Sequence, residues 1–174
     1  MARVTCAGET LYTDGSFPQI GKTISPLYLT DSNWEDVCIN EIKCQFKVLD
    51  FYPSIDSPRA VQHAVQLQRA NQVIRGAKCF VISSDLPCAL QKWCRTEDIQ
   101  NLDVLSSFRS QKYLLSHGLM ISSGRFKGLG ARAVMVLDAM NKVIYAKLAA
   151  DLMDGPDLSG LSEAMSLHLN AEMV

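Results

Sequence analysis

Phe46-Lys47-Val48-Leu49-Asp50-Phe51-Tyr52, followed by Pro53-Ser54-Ile55-Asp56-Ser57-Pro58-Arg59-Ala60, is the stretch that decides the fold. Its first seven residues are rich in β-branched and aromatic side chains. Pro53, which has no N–H to give to a ladder, ends them, so they read as a central strand that stops there. Ser57-Pro58 then reads as a helix start, with the serine as N-cap and the proline at the first helical position, where a missing N–H is no loss. An apolar stripe of Val61, Ala64, Val65, Ala70, Val73 and Ile74 opposes polar Gln62, Gln66, Gln68 and Arg69, and Gly76 ends the helix. Cys79–Ser83 reads as the next strand. Pro87 opens a second, short helix carrying Cys88, Leu90, Trp93 and Cys94.

Outward from this strand-helix-strand-helix unit, Val4 to Tyr12 fits a small hairpin with Gly8-Glu9 as its turn, before a Gly/Ser/Pro-rich passage reaching Gly21. Ser25–Thr30 reads as extended, whereas Asp31–Lys43 fits neither the helical nor the strand period. A weaker strand around Val104-Leu105 and a short helix from Ser110 to Ser116 bring the chain to Gly118. Past a Gly-rich link, Gly124 to Gly130, two strands at Ala131–Leu137 and Val143–Leu148 are joined by Asp138-Ala139-Met140-Asn141 as a hairpin turn. A last helix is expected from about Asp157 to Leu169. The whole implies an α/β sandwich with a mixed sheet, as one domain over residues 1–174.

Bulk composition narrows the function classes. With 174 residues, 48% of them hydrophobic, the chain is long enough to bury about 70% of the surface its unfolded form exposes. A formal charge of -1 and pI near 6.3 give no reason to expect nucleic acid or a membrane surface as partner. Met1-Ala2-Arg3-Val4-Thr5-Cys6 lacks the pattern of a signal peptide and no apolar run has membrane-spanning length, so a cytoplasmic location is expected. Six cysteines contain no Cys-x-x-Cys pair and no zinc-type spacing, and His63, His117 and His168 form no metal or triad pattern, so neither metal nor cofactor is expected. Gly124-x-x-x-Gly128-Leu129-Gly130 lacks the Lys-Ser/Thr of a phosphate loop and precedes a strand, which argues against nucleotide binding.

Several blocks together resemble the thioredoxin-dependent thiol peroxidase branch of the peroxiredoxins, over nearly the whole chain. They are Gly15–Gly21, Lys47–Asp56, Ser83-Ser84-Asp85-Leu86-Pro87 continuing to Cys94, Ser107-Phe108-Arg109, Lys127-Gly128-Leu129 and Ala131-Arg132-Ala133-Val134. The resemblance implies a thioredoxin-like peroxiredoxin fold, a mixed β-sheet flanked by helices with an N-terminal β-hairpin. It implies that Pro53 shields a peroxide site, Ser57 orients the peroxide, Arg132 holds the nucleophile anionic, and Cys94 resolves the oxidised thiol as a disulfide. Hydroperoxides would be the substrates, thioredoxin the reductant and a homodimer the assembly, packed near Ser54-Ile55 and Phe108-Arg109.

The nucleophile of that pattern is a cysteine at the position where this chain has Ala60. A free thiol has a pKa of about 8.5, which a helix's first turn and a nearby guanidinium lower toward neutrality. Alanine has no lone pair, and Ser57 has no evident general base beside it. Two readings of the alanine stay open: a thiol peroxidase whose cysteine has been replaced, or a natural non-catalytic relative that binds a partner or keeps a scaffold. Attack by another thiol such as Cys94 is weaker, because in the pattern that residue lies away from Pro53, Ser57 and Arg132.

Each assignment has a plainer counterpart. Ala60 is a good helix former, Ser57 an ordinary cap, Arg132 a candidate buried arginine paired with Asp50 or Asp56, and Cys94 a small apolar residue on a helix face. Cys6, Cys38, Cys44, Cys79 and Cys88 are expected to be core-packing residues or accidental surface thiols.

Overall fold

The structure, a computed structural model, describes residues 1–73, 76–156 and 158–172. Ile74 of the expected stripe and Asp157, expected to open the last helix, lie outside these residues, as do the side chains of Ala70 and Val73. The chain runs β1 (Ala2–Cys6), β2 (Glu9–Gly15), β3 (Tyr28–Thr30), β4 (Asp36–Cys38), β5 (Phe46–Tyr52), α1 (Pro58–Val73), β6 (Ala77–Ser83) and α2 (Pro87–Thr96). It continues through β7 (Asp103–Ser106), α3 (Gln111–Ser116), β8 (His117–Ile121), β9 (Ala133–Asp138), β10 (Val143–Leu148) and α4 (Gly160–Glu172).

All seven residues of β5 are buried, because this strand lies inside a seven-stranded sheet ordered β10-β9-β5-β6-β7-β3-β4, with a neighbour on each side. β5 runs parallel to β6 and antiparallel to β9, which makes the sheet mixed. β5, expected as a central strand, is flanked by β9 and β6, and none of the three is at an edge. Strand alternation sends Phe46, Val48 and Tyr52 to one face, under α1 and α4, and Leu49 and Phe51 to the other, against Leu27, Leu29 and Leu114. Asp50, two residues from both Val48 and Tyr52, shares the α1 face. A smaller sheet, β1-β2-β8, packs its own core of Val4, Leu11, Ile121 and Leu152.

Several expectations need correction. The first hairpin turns at Ala7-Gly8 rather than Gly8-Glu9, with φ of 48° and 82°, the left-handed pair of a tight two-residue hairpin. β4 lies in the aperiodic Asp31–Lys43 stretch, since an edge strand of three residues is too short to show a period. β8 was not expected: His117 is both the C-cap of α3 and the first strand residue, so no loop separates the two. β9 begins at Ala133, leaving Arg132 just ahead of the strand, and the described last helix starts at Gly160.

Candidate active site

Tyr52 ends β5 and the chain turns through Pro53 to α1. The turn is fixed from outside by Asp85, which accepts hydrogen bonds from Ile55 N at 2.8 Å, from Ser54 Oγ at 3.1 Å and from Ser83 Oγ. Ser57 caps α1 as its sequence suggests: the Ala60 N–H donates to Ser57 Oγ at 3.2 Å. Ala60 therefore sits in the first turn, only 2% exposed.

A cavity of about 170 Å³ opens over this turn, and Pro53, Ser57, Ala60 and Arg132 all line it. The sequence thus names four residues that the fold does bring together. Cys94 is not among the lining residues: it lies half-buried on α2, packed against the apolar cluster that contains Ala60, Ile55 and Trp93, and burial pushes its thiol pKa up.

Arg132 belongs to the cavity wall and is also the buried ion-paired arginine of the plainer reading. Its partner is Asp50, not Asp56. Nη1 donates to Asp50 Oδ1 and, at 2.8 Å, to the Phe51 carbonyl, while Nη2 approaches Asp50 Oδ2 at 3.4 Å. The Tyr52 ring lies 3.8 Å from the guanidinium carbon, and the Tyr52 hydroxyl donates to Asp50 Oδ2 at 2.6 Å. Burial works against the guanidinium charge, but Asp50 and Tyr52 together outweigh it and hold the Arg132 pKa above the usual value. Burial, then Asp50, pushes the Tyr52 phenol well up.

Two lining residues carry chemistry that sequence reasoning passed over. His63 is one helical turn beyond Ala60 on the same face, a spacing that could have flagged it. Burial, with Arg132 as the next cause, lowers its imidazole pKa. Cys6, given no role in the site by its sequence, reaches the cavity from β1, and burial followed by the Asp151 carboxylate raises its thiol pKa. No local signal marks Cys6. It arrives because Thr5 bonds to a segment 146 residues away, through Oγ1 to Asp151 Oδ2 at 2.6 Å, while Leu152 N donates to Thr5 O at 2.8 Å. Gly155 closes the same wall at φ +77°; a Cβ there would lie 2.8 Å from His63 Cε1 and 3.3 Å from Arg132 Nε. All six cysteines are free thiols, and among the described residues no group of three or more His, Cys, Asp or Glu could hold a metal. No described helix is long and apolar enough to cross a membrane.

Comparison with known proteins places this architecture. A thiol peroxidase from Corynebacterium glutamicum is 28% identical over 166 residues, spanning 95% of this chain and 100% of that protein. A peroxiredoxin-like protein from Aquifex aeolicus superposes with TM-score 0.87 at 24% identity, covering 96% of this chain and 97% of its own. A thiol peroxidase from Chromobacterium violaceum gives 0.86 at 22%, covering 99% and 98%. These likenesses bear out the peroxiredoxin fold and the resemblance to thiol peroxidases. The family model described as Redoxin matches residues 12–164, and with most of its length accounted for in this way the chain belongs to the Redoxin family.

Proposed function

We propose that the chain is built as a thioredoxin-dependent thiol peroxidase for hydrogen peroxide and organic hydroperoxides, and that with alanine at position 60 it does not itself turn peroxide over. The observation that carries this reading is the placement of the Ala60 methyl. It is buried in the first turn of α1, on a cavity wall shared with Pro53, Ser57 and Arg132. A thiolate there would attack the peroxide O–O bond, take one oxygen as a sulfenic acid and release water or an alcohol. Cys94 would then condense with the sulfenic acid, releasing water and leaving a disulfide, and two electrons from thioredoxin would restore both thiols.

Pro53 would shield the reacting sulfur, Ser57 would orient the peroxide, and Arg132 would hold the thiolate and stabilise the departing oxygen. Cys6 is a poor substitute for the missing nucleophile, because burial and then Asp151 raise its thiol pKa. The same reading makes the chain one domain and the working form a cytoplasmic homodimer. The dimer face would lie near Phe108-Arg109, where an exposed Trp34 packs edge-on against Phe108 at 5.8 Å.

A second reading, a natural non-catalytic binding or scaffold protein, is favoured by one feature. Asp50 already balances the Arg132 charge, so the cavity is electrostatically complete without a thiolate. A thioredoxin and thioredoxin reductase assay separates the possibilities. The expected result is no peroxide-dependent consumption of reducing equivalents by the chain as it stands, and turnover by Ala60→Cys. Equal rates for the two would show that another thiol attacks. No turnover by a folded Ala60→Cys form would favour the binding reading.

A further inference from the structure

Ser25 and His117 stand 92 positions apart in the chain, and the fold brings Ser25 Oγ to 3.1 Å from His117 Nε2. Neither residue lines the cavity that holds Ala60. The serine is exposed, just ahead of β3, and the histidine is half-buried where α3 passes into β8.

The imidazole is held in one orientation. Its Nδ1 lies 2.8 Å from the Tyr113 carbonyl oxygen, which can only accept, so Nδ1 carries the proton and Nε2 presents a lone pair to Ser25. Ser116 Oγ donates to the same carbonyl at 3.0 Å and turns a lone pair to Nδ1 at 3.0 Å. The Tyr113 ring stacks on the imidazole, with centroids 4.0 Å apart and planes 13° from parallel, which fixes the rotation of the ring. A serine hydroxyl donating to an imidazole whose far nitrogen is anchored is the arrangement that activates a weak oxygen nucleophile. Here a backbone carbonyl anchors the ring in place of a carboxylate. It orients the imidazole but adds no negative charge to stabilise the imidazolium, which restricts the pair to substrates with good leaving groups.

Two neighbouring features favour acyl transfer. Tyr113 Oη is buried, without a hydrogen-bond partner among the described residues. Burial pushes its phenol pKa up to about 12, and the adjacent Ser25 hydroxyl works against that rise. The phenol therefore keeps its proton and can offer it to an oxyanion formed at Ser25. A cleft of about 360 Å³ begins at His117 and at Ile24, the residue before Ser25, and Phe17, Pro18 and Val143 give it apolar walls.

We propose that Ser25 and His117 form a second, hydrolytic site that cleaves small neutral esters with good leaving groups, such as aryl esters of short carboxylic acids, with the acyl chain in the cleft beside Ile24. Ser25 Oγ adds to the ester carbonyl while its proton passes to His117 Nε2, and the carbonyl oxygen becomes an oxyanion that the Tyr113 hydroxyl stabilises. The bond to the leaving oxygen then breaks, and that oxygen departs with the proton from Nε2. Water next gives a proton to Nε2 and adds to the acyl carbonyl. The carboxylic acid is released as the proton returns to Ser25 Oγ. This chemistry uses no group of the cavity over α1 and holds whether or not the peroxidase reading does.

Release of 4-nitrophenolate from 4-nitrophenyl acetate by the full chain, with peptide mapping of the trapped acetyl group, tests the proposal. Turnover beyond one equivalent and an acetyl group on Ser25 are expected, with Ser25→Ala and His117→Gln each slower by about 10²-fold or more. Tyr113→Phe keeps the ring stack and should lower kcat by about 10²-fold with little change in KM. Cys88→Ser, which removes the exposed thiol on α2, should leave the rate unchanged. If His117→Gln fails to fold, Ser25→Ala, at an exposed loop position, decides. No turnover by the chain, acetyl groups only on Cys88 or lysines, or rates unchanged in Ser25→Ala or Tyr113→Phe would overturn it.

Discussion

Arg132 and Asp50 meet across the β9–β5 junction as a buried ion pair, their side chains 4% and 0% exposed. Such a pair costs several kcal/mol of desolvation per ion, which their mutual attraction and the added bonds from Tyr52 and to the Phe51 carbonyl offset. Removing one member leaves the other charged and buried. Asp50→Ala is expected to lower unfolding free energy by about 3–5 kcal/mol. The double variant Asp50→Leu/Arg132→Met should be more stable than either single change. Urea unfolding of Asp50→Ala, of Asp50→Leu and Arg132→Met singly, and of the double variant checks this; a double variant that loses as much as its two singles combined would contradict it.

Restoring the thiol should expose the electrostatics of the first turn. In Ala60→Cys the sulfur would lie at the N-terminal end of a 16-residue helix and on the cavity wall that Arg132 also lines. Both favour the anion, so the thiolate should titrate below the free value of about 8.5. Ultraviolet absorbance of the thiolate against pH measures it directly. A midpoint at or above the free value would mean that Asp50 has cancelled the effect of Arg132.

Cys94 is expected to stay reduced in this chain and to pair with position 60 in Ala60→Cys after peroxide treatment. A disulfide needs Cα atoms roughly 4.4–6.8 Å apart, and the two positions belong to different helices. Cys94 is half-buried on a ten-residue helix, so turnover would involve local unwinding of α2. Peptide mapping identifies the crosslink. A bond from position 60 to Cys88 or Cys6, or no internal bond, would remove Cys94 from the resolving role.

His63 should make stability depend on pH below neutrality. Burial and then Arg132 bring its folded pKa below the ordinary 6.5. As pH falls through 6.5, the unfolded chain takes up a proton that the folded chain refuses. Stability therefore declines until the folded pKa is passed, and is unaffected by this group above 6.5. The ring is partly exposed, so the slope will be shallow. Chemical denaturation at pH 7, 6 and 5 should show a smaller loss for His63→Gln than for the unaltered chain; identical slopes would assign the dependence elsewhere.

The sequence makes local pattern visible and leaves distant meetings hidden. β5 and the Ser57 cap of α1 are where the residues between 46 and 60 indicate, because propensity, a proline stop and a cap all act within a few positions. Asp50 was recognisable as one of two candidate partners for Arg132; only the sheet register decides for it, since β5 and β9 are adjacent. β8 escaped notice because α3 passes into it without a loop. Cys6 escaped because its place on the cavity wall depends on Asp151 and Leu152. Its neighbours in the sequence reveal nothing of that contact.

The bridge from Thr5 to Asp151 and Leu152 also bears on the order in which the protein assembles. One wall of the cavity comes from β1, another from the segment around Leu152 to Gly155, and the floor from α1 and Arg132. A chain emerging from the ribosome cannot close that pocket until the late segment is out, however early β5 and α1 form. Protection of a thiol at Cys6 from alkylation would then mark the final step of folding, well after helical signal has appeared.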